Sequence, residues 1–149
     1  MILLSRRCLL AIAAIIDVAL HARPSPVTAK SLAARHNLPP RHLETLLQAL
    51  VRGNILKGVR GPRGGYELAR ERRRITAGEI VRAALSEADP EVAAEGGGSE
   101  LIGLVVGPLV EEAGRGLLAA LDAVTVDELC RRAATVAVKS DAANVDFTI

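Results

Sequence analysis

The sequence predicts a mainly α-helical fold with one small β-hairpin. Apolar residues make up 50% of the chain, yet it contains only one tyrosine and one phenylalanine. A core of leucine, isoleucine, valine and alanine is typical of packed helices, and most of these residues recur at helical spacing. Two short β-prone runs, NILKGVR and YELAR, flank the glycine-rich run GPRGG, which indicates a hairpin. With 149 residues, the chain forms one domain, or a small domain with an oligomerisation element.

Residues 5–22 are predicted to form the first helix, with Ser5 as its N-cap. An export signal is the alternative, because SRRCLL resembles a twin-arginine motif ahead of an apolar run. However, Asp17 interrupts the run, no small-x-small cleavage site precedes Arg23, and the run is too short to cross a bilayer. On the helical interpretation, the buried face consists of Leu9, Ile12, Ala13, Ile16 and Leu20.

A helix-turn-helix is predicted next. VTAKSLAARHN forms a short helix that Thr28 caps, and a third helix runs from about Pro40 to Gly53. The apolar stripe of the third helix is Leu43, Leu46, Leu47, Leu50 and Val51. Its polar face carries Arg41, Glu44, Thr45, Gln48 and Arg52. This pattern is typical of DNA-binding helix-turn-helix units, although plain helical packing produces it as well.

The hairpin that follows turns this unit into a winged helix. Its tip and C-terminal flank are rich in arginine: Arg60, Arg63, Arg70, Arg72, Arg73 and Arg74. A basic wing beside a polar helix suits a duplex backbone, because phosphate neutralisation supplies most of the non-specific affinity for DNA. GPRGG does not match a nucleotide-binding P-loop, because Tyr66 follows the last glycine where that motif needs a lysine.

A fourth helix completes the predicted DNA-binding domain. TAGE is a capping box that opens this helix over about residues 76–86. The winged helix-turn-helix domain is therefore predicted to span residues 1–86. The polar, glycine-rich residues 87–98 are predicted to be a flexible linker.

Residues 99–134 are predicted to form a long C-terminal dimerisation helix and a short terminal helix, followed by a mobile tail over 135–149. The sequence TVDE is a second capping box that opens the terminal helix. Glycines and Pro108 predict a break in the long helix near Gly107 and Pro108, and packing on a partner copy. The residues predicted to form the dimer interface are Ile102, Val106, Leu109, Val110, Leu117 and Leu121.

Charge is distributed unevenly along the chain. Residues 1–82 hold 15 of the 19 lysines and arginines but only 5 of the 17 acidic residues, a net charge of +10. Residues 83–149 hold the remaining 4 and 12, a net charge of −8. This asymmetry indicates an anionic partner for the first half.

The chain resembles the Rrf-type winged-helix transcription regulators. The resemblance is nearly continuous over residues 1–84, fainter over 101–130, and most specific in VRGPRGGYELA. That family includes an iron–sulfur cluster regulator, a nitric-oxide-sensing repressor and a regulator of cysteine metabolism. The resemblance implies that SRRCLLAIAAII is the first helix of the DNA-binding domain and not an export signal, so the protein is expected to be cytoplasmic.

The resemblance also implies a homodimer on a partly palindromic operator, with each recognition helix in a major groove and each wing in a minor groove. Glu44 would accept a hydrogen bond from a cytosine amino group, and Arg41 would reach guanine or phosphate. The alternative for each arginine is that it is an ordinary solvent-exposed charge with no role in DNA binding. The residues assigned to DNA are Thr28, Arg41, His42, Glu44, Thr45, Gln48, Arg60, Gly61, Arg63 and Gly64.

One departure from the family concerns the cofactor. Cluster-binding members carry three cysteines between the fourth helix and the long helix, but the corresponding segment here, SEADPEVAAEGGGSE, contains none. Since thiolates are the usual ligands of such clusters, no iron–sulfur cluster or other cofactor is expected. Cys8 and Cys130 are expected to be small buried hydrophobes, with a redox switch as the alternative.

The expected function is a sequence-specific double-stranded DNA-binding transcription regulator, a repressor, that acts as a homodimer and has no membrane partner. Its signal would come from an effector protein, a small molecule or thiol oxidation. A winged helix that serves only as a protein–protein interaction module is the alternative. RNA binding is disfavoured because there is no aromatic platform for stacking bases. No arrangement of residues typical of an enzyme is present in the sequence.

Overall fold

The structure is a computed structural model and describes residues 4–86 and 99–145. The predicted linker at 87–98 lies outside the described residues. The elements are α1 (Arg6–His21), α2 (Ala29–Arg35), α3 (Pro40–Arg52), β1 (Leu56–Val59), β2 (Gly65–Leu68), α4 (Ala77–Leu85), a π-helical turn (Ile102–Val106), α5 (Gly107–Asp122) and α6 (Val126–Val145). The prediction of a mainly helical fold with a hairpin wing is confirmed.

Side-chain caps determine where three helices begin. Ser5 Oγ accepts a hydrogen bond from the Cys8 N–H at 3.3 Å, and Thr28 Oγ1 accepts one from the Ser31 N–H at 3.1 Å. Thr76 and Glu79 form both halves of the predicted capping box at the start of α4. Because each cap satisfies a backbone donor that the first turn leaves free, these starting points could be predicted from the sequence.

The buried face of α1 differs from the predicted one. Cys8, Ala11, Ala14, Ile15 and Val18 are fully buried, whereas Leu9 is 38% exposed and Leu20 is 47% exposed. The predicted Ile12, Ala13 and Ile16 are only half-buried. The prediction was wrong because the apolar run covers every side of the helix, so its spacing does not select one face.

The core of the helix-turn-helix lies beneath α3. Leu43, Leu46, Leu47 and Leu50 are fully buried, as predicted, but Val51 at the end of the stripe is 37% exposed. All five residues of the predicted polar face are exposed. The helix therefore presents a continuous polar surface on the side away from the core.

The wing is a two-stranded antiparallel hairpin that joins the helix-turn-helix through Val27. Leu56 pairs with Leu68 at its base and Val59 with Gly65 near its tip. Val27 and Tyr66 exchange both backbone hydrogen bonds, at 2.8 and 3.0 Å, so the residue before the α2 cap extends the hairpin. This pairing fixes the base of the wing against the start of α2.

The C-terminal helices share the core of the winged helix. The Ala77 N–H donates to Val124 O at 2.8 Å and the Val126 N–H donates to Ile75 O at 2.9 Å. Val126 is fully buried and Cys130 is 4% exposed. The start of α4 and the start of α6 are therefore joined through both backbone and side chains.

The long helix has a π-helical turn just before Pro108, where a break was predicted, but it continues without interruption. Pro108 has no backbone N–H, so it cannot donate an α-helical bond to the turn before it. The Gly107 N–H instead donates to Ile102 O, five residues back, and closes a π-helical turn. From this turn to Val110 the apolar side chains are largely exposed.

The terminal helix is longer than predicted. It continues beyond residue 134 to Val145, so the predicted end of this helix at residue 134 is wrong and residues 135–145 are helical. The sequence AATVAVKSDAANV is rich in alanine and contains neither glycine nor proline, so nothing in it stops a helix. Residues 146–149 lie outside the described part of the chain.

Candidate nucleic-acid interface

The exposed side of α3 carries the residues that the sequence predicts to contact DNA. Arg41, His42, Glu44, Thr45 and Gln48 are all exposed, because the four leucines on the opposite side anchor the helix in the core. With its side chains an α-helix is about 10–12 Å in diameter, which matches the width of a major groove of about 12 Å. The exposed side of α3 thus carries both hydrogen-bond donors and hydrogen-bond acceptors.

The tip of the wing carries two exposed arginines, Arg60 and Arg63. Gly61 has a φ of 116°, a conformation that favours glycine. A Cβ at Gly64 would collide with the carbonyl oxygen of Val59 and lie 2.9 Å from that of Gly61. The two glycines therefore shape the turn that positions both guanidinium groups.

Two of the predicted DNA-binding residues also have contacts inside the protein. Thr28 caps α2 and its hydroxyl donates to Ser31 Oγ at 3.0 Å. Thr45 Oγ1 accepts a long hydrogen bond of 3.5 Å from Arg7 Nη1. Arg7 Nε also donates to Ala84 O at 2.9 Å, so this arginine links α3 to the end of α4. Sequence reasoning missed Arg7, because partners 38 and 77 residues away leave no local signal.

Arg70 and Arg72, in the segment after the wing, stabilise the fold. Arg70 donates to Asn54 O and Arg74 O, each at 3.1 Å, and pairs with Glu79 Oε1 at 3.0 Å. Arg72 Nε pairs with Asp127 Oδ1 of α6 at 3.0 Å. Burial raises the pKa of Glu79, but the bonds from Thr76 and Arg70 outweigh it and hold that pKa below its usual value. Arg70 and Arg72 are thus paired within the fold, whereas Arg60 and Arg63 at the wing tip have no ion pair among the described residues.

A buried carboxylate, that of Asp17, joins α1 to the end of α2. Asp17 in α1 is 8% exposed, and its oxygens accept from Arg35 Nη2 at 2.6 Å and Nε at 2.9 Å. His21 Nδ1 and His36 Nε2 each lie 3.1 Å from the same carboxylate. Burial raises the pKa of Asp17, but the bonds and charge of Arg35, with both histidines, hold it below its usual value. Sequence reasoning noted Asp17 only as an interruption of the apolar run.

The predicted dimer residues fall into two groups. Ile102, Val106, Leu109 and Val110 are exposed, with exposed fractions from 42% to 64%. Leu117 is half-buried, and Leu121 packs against the core of its own chain. Leu121 therefore also contributes to the core of its own chain, because α5 turns this side toward α4.

The cysteines are both buried and free. Burial raises the pKa of the Cys130 thiol, although Arg72 lies beside it. Within residues 4–86 and 99–145, no three histidine, cysteine or acidic side chains are grouped so that they could hold a metal ion. No helix in that part of the chain is both long and apolar enough to span a bilayer.

Comparison with known proteins places this geometry in a family. The family model Rrf2, described as an iron-dependent transcriptional regulator, matches residues 4–132. The HTH-type transcriptional regulator IscR of Xenorhabdus nematophila is 37% identical over 73 residues, which cover 49% of this chain and 44% of that protein. The chain spans about half the length of the curated relatives it matches.

Solved structures resemble the whole fold. The structure of T. potens IscR superposes with a TM-score of 0.67 at 30% identity, covering 87% of both chains. CymR, the global cysteine regulator of B. subtilis, superposes with a TM-score of 0.65 at 25% identity and covers 89% of this chain and 98% of its own. The likeness therefore includes the C-terminal helices as well as the winged helix.

Proposed function

The chain belongs to the Rrf2 family of transcriptional regulators, and we propose that it regulates transcription by binding a specific double-stranded DNA sequence. The observation that carries this proposal is the exposed polar face of α3 beside a wing whose tip holds Arg60 and Arg63. Arg41, Glu44 and Gln48 would contact base edges in the major groove. The wing arginines would contact phosphates or the minor groove, and Thr28 would contact phosphate.

The protein acts as a homodimer in this proposal. Seven large apolar side chains between Leu101 and Val110 are at least 42% exposed, and an apolar surface of this kind marks an association site. A two-fold dimer repeats each recognition helix once, so the matching operator is a palindrome with half-sites about one helical turn apart. Such a dimer would cover a promoter and act as a repressor in the cytoplasm.

The proposed regulator works without an iron–sulfur cluster. The segment at 86–100 contains no cysteine, and both cysteines of the chain lie in helices with buried side chains. An effector protein, a small molecule or thiol oxidation would supply the signal instead. The thiol is the least supported of these, because burial disfavours the reactive thiolate of Cys130.

Selection of genomic DNA fragments on the purified protein tests the function. We expect a few promoters that share a palindrome to be enriched over scrambled fragments. The variant Arg60→Ala/Arg63→Ala should lose most of its duplex affinity and reduce the salt dependence of binding, because each phosphate contact contributes about 0.9 to the slope. The matched control Arg131→Ala/Arg132→Ala removes two exposed arginines from α6 and should bind like the original protein.

The opposite result would favour a protein-interaction module. A folded dimer that enriches no fragment at moderate salt, and whose weak duplex binding is unaffected by loss of the wing arginines, would refute specific DNA recognition. Circular dichroism of each variant separates this result from unfolding.

A further inference from the structure

A cavity of about 690 Å³ lies at the base of the wing, away from the recognition helix. Its walls are the C-terminal end of α1 with the loop that follows it, the base of the hairpin, and the segment 70–73. Its volume falls in the range of small-molecule sites. None of the residues assigned to DNA or to the dimer lines it.

The cavity combines an apolar floor with a cationic rim. Ala19, Ala22 and Leu68 supply apolar surface. Five lysines and arginines line it against two glutamates, so its lining is positive. An anion with an apolar body would match both parts.

Two of the five cations are available to a ligand. Three of the cations are already paired. Lys57 Nζ pairs with Glu67 Oε2 at 3.2 Å, Arg70 pairs with Glu79, and Arg72 pairs with Asp127. Arg73 is 82% exposed, and the carboxylate of Asp127 is 3.9 Å away. Arg23 is exposed and has no ion pair within residues 4–86 and 99–145.

We propose that this cavity binds a small organic anion. The apolar body of the ligand lies on the floor formed by α1 and Leu68, and its carboxylate, sulfonate or phosphate group pairs with Arg23 and Arg73. A guanidinium group bonds such oxygens through two parallel N–H donors, which makes arginine well suited to this contact. The apolar body adds affinity by leaving water, so inorganic phosphate alone binds less tightly.

The site is held in shape before a ligand arrives. The three bonds of Arg70 fix the segment 70–74 to the start of the hairpin and to α4. The Asp127 N–H donates to Arg72 O at 3.1 Å and fixes the same segment to α6. A preformed site loses little conformational entropy on binding.

The cavity is also connected to the wing through the segment 70–74. Segment 70–74 follows directly from β2, and the Asp127 carboxylate lies beside both Arg72 and Arg73. An anion on Arg73 competes with Asp127 for that arginine and changes the contact between the base of the wing and α6. This regulatory consequence rests on the function proposed above, whereas the binding site does not.

Isothermal titration calorimetry with phenyl phosphate, in the absence of DNA, tests the site. We expect one phenyl phosphate per chain, bound more tightly than inorganic phosphate or phenol. Arg23→Ala/Arg73→Ala should weaken binding about tenfold or more, since it removes both charge-assisted contacts. Ala19→Phe, which fills the cavity from its floor, should weaken binding without removing a charge. The control Arg132→Ala removes an exposed arginine that pairs with Glu128 and does not contact Asp127, so it should bind phenyl phosphate normally.

Three results would overturn the proposal. Phenyl phosphate could bind no better than inorganic phosphate. Both cavity variants could bind it like the original protein while their melting curves show that they fold. Finally, Arg23→Ala/Arg73→Ala could lower duplex affinity without changing phenyl phosphate binding, which would assign these arginines to the DNA interface. Because calorimetry uses no DNA, a failure of duplex recognition leaves this test intact.

Discussion

Replacement of Asp17 by alanine should destabilise the protein by about 2 kcal/mol. Removing one partner of a buried ion pair costs about 3–5 kcal/mol, whereas an exposed pair contributes at most about 1 kcal/mol. Asp17 is 8% exposed but Arg35 is 40% exposed, so the guanidinium group left behind remains partly solvated and the cost falls between these limits. Both histidines lose their carboxylate partner as well.

Urea unfolding followed by circular dichroism measures this loss. Arg132→Ala, which removes an exposed pair with Glu128, is the matched control and should cost less than about 0.5 kcal/mol. A double-mutant cycle of Asp17→Asn with Arg35→Ala should give a coupling energy of about 1–2 kcal/mol, because the two residues share two hydrogen bonds. A loss no larger than that of the control, together with no coupling, would refute the reasoning.

The effect of Asp17 should depend on pH in a defined direction. Burial alone would raise the pKa of its carboxyl, but Arg35 and the histidines hold it below the usual value. A carboxylate with a lowered folded-state pKa stabilises the protein above its unfolded pKa of about 3.9. This contribution disappears as the pH falls through the lower folded-state pKa. The difference in unfolding free energy between the original protein and Asp17→Asn should therefore shrink below about pH 4.

Three further changes have expected results. Val106→Glu with Val110→Glu places charge on the exposed apolar surface, so sedimentation should show monomers; an unchanged dimer would contradict the proposed interface. Thr76→Ala removes the capping box and should cost about 1 kcal/mol in urea unfolding, and a loss below about 0.3 kcal/mol would show that the cap is dispensable. Gly61→Val puts a β-branched residue at a φ of 116°, so gel-shift titration should show weaker duplex binding; unchanged affinity would exclude the tip from the interface.

The sequence predicted best those features that depend on residues close together in the chain. The caps at Ser5, Thr28 and Thr76 each pair with a backbone donor three residues away, so a short stretch contains the whole interaction. Proline and glycine likewise indicated an irregularity near Gly107 and Pro108, which is a π-helical turn and not a break. Where the local signal was ambiguous or absent, as in the all-apolar run of α1 or at residue 134, the prediction was wrong.

Long-range pairing explains the rest of what the sequence did not reveal. Asp17 looks like a flaw in an apolar run until Arg35, 18 residues away, is placed beside it. The same holds for the cavity, whose floor and rim come from α1, the hairpin and the segment after it. Composition allowed such a site but gave no sign of where it would form.

The uneven charge of the sequence has two causes, and the structure separates them. Arg82 forms two hydrogen bonds to Asp122, at 2.7 and 2.6 Å, and Arg72 pairs with Asp127. In both cases an arginine of the basic half is neutralised by a carboxylate of the acidic half, so part of the asymmetry serves to join the two halves. Among the described residues, Arg41 of α3 and the wing-tip residues Arg60 and Arg63 have no such partner. Arg82→Ala should accordingly leave the salt dependence of duplex binding unchanged, whereas loss of Arg60 and Arg63 should reduce it.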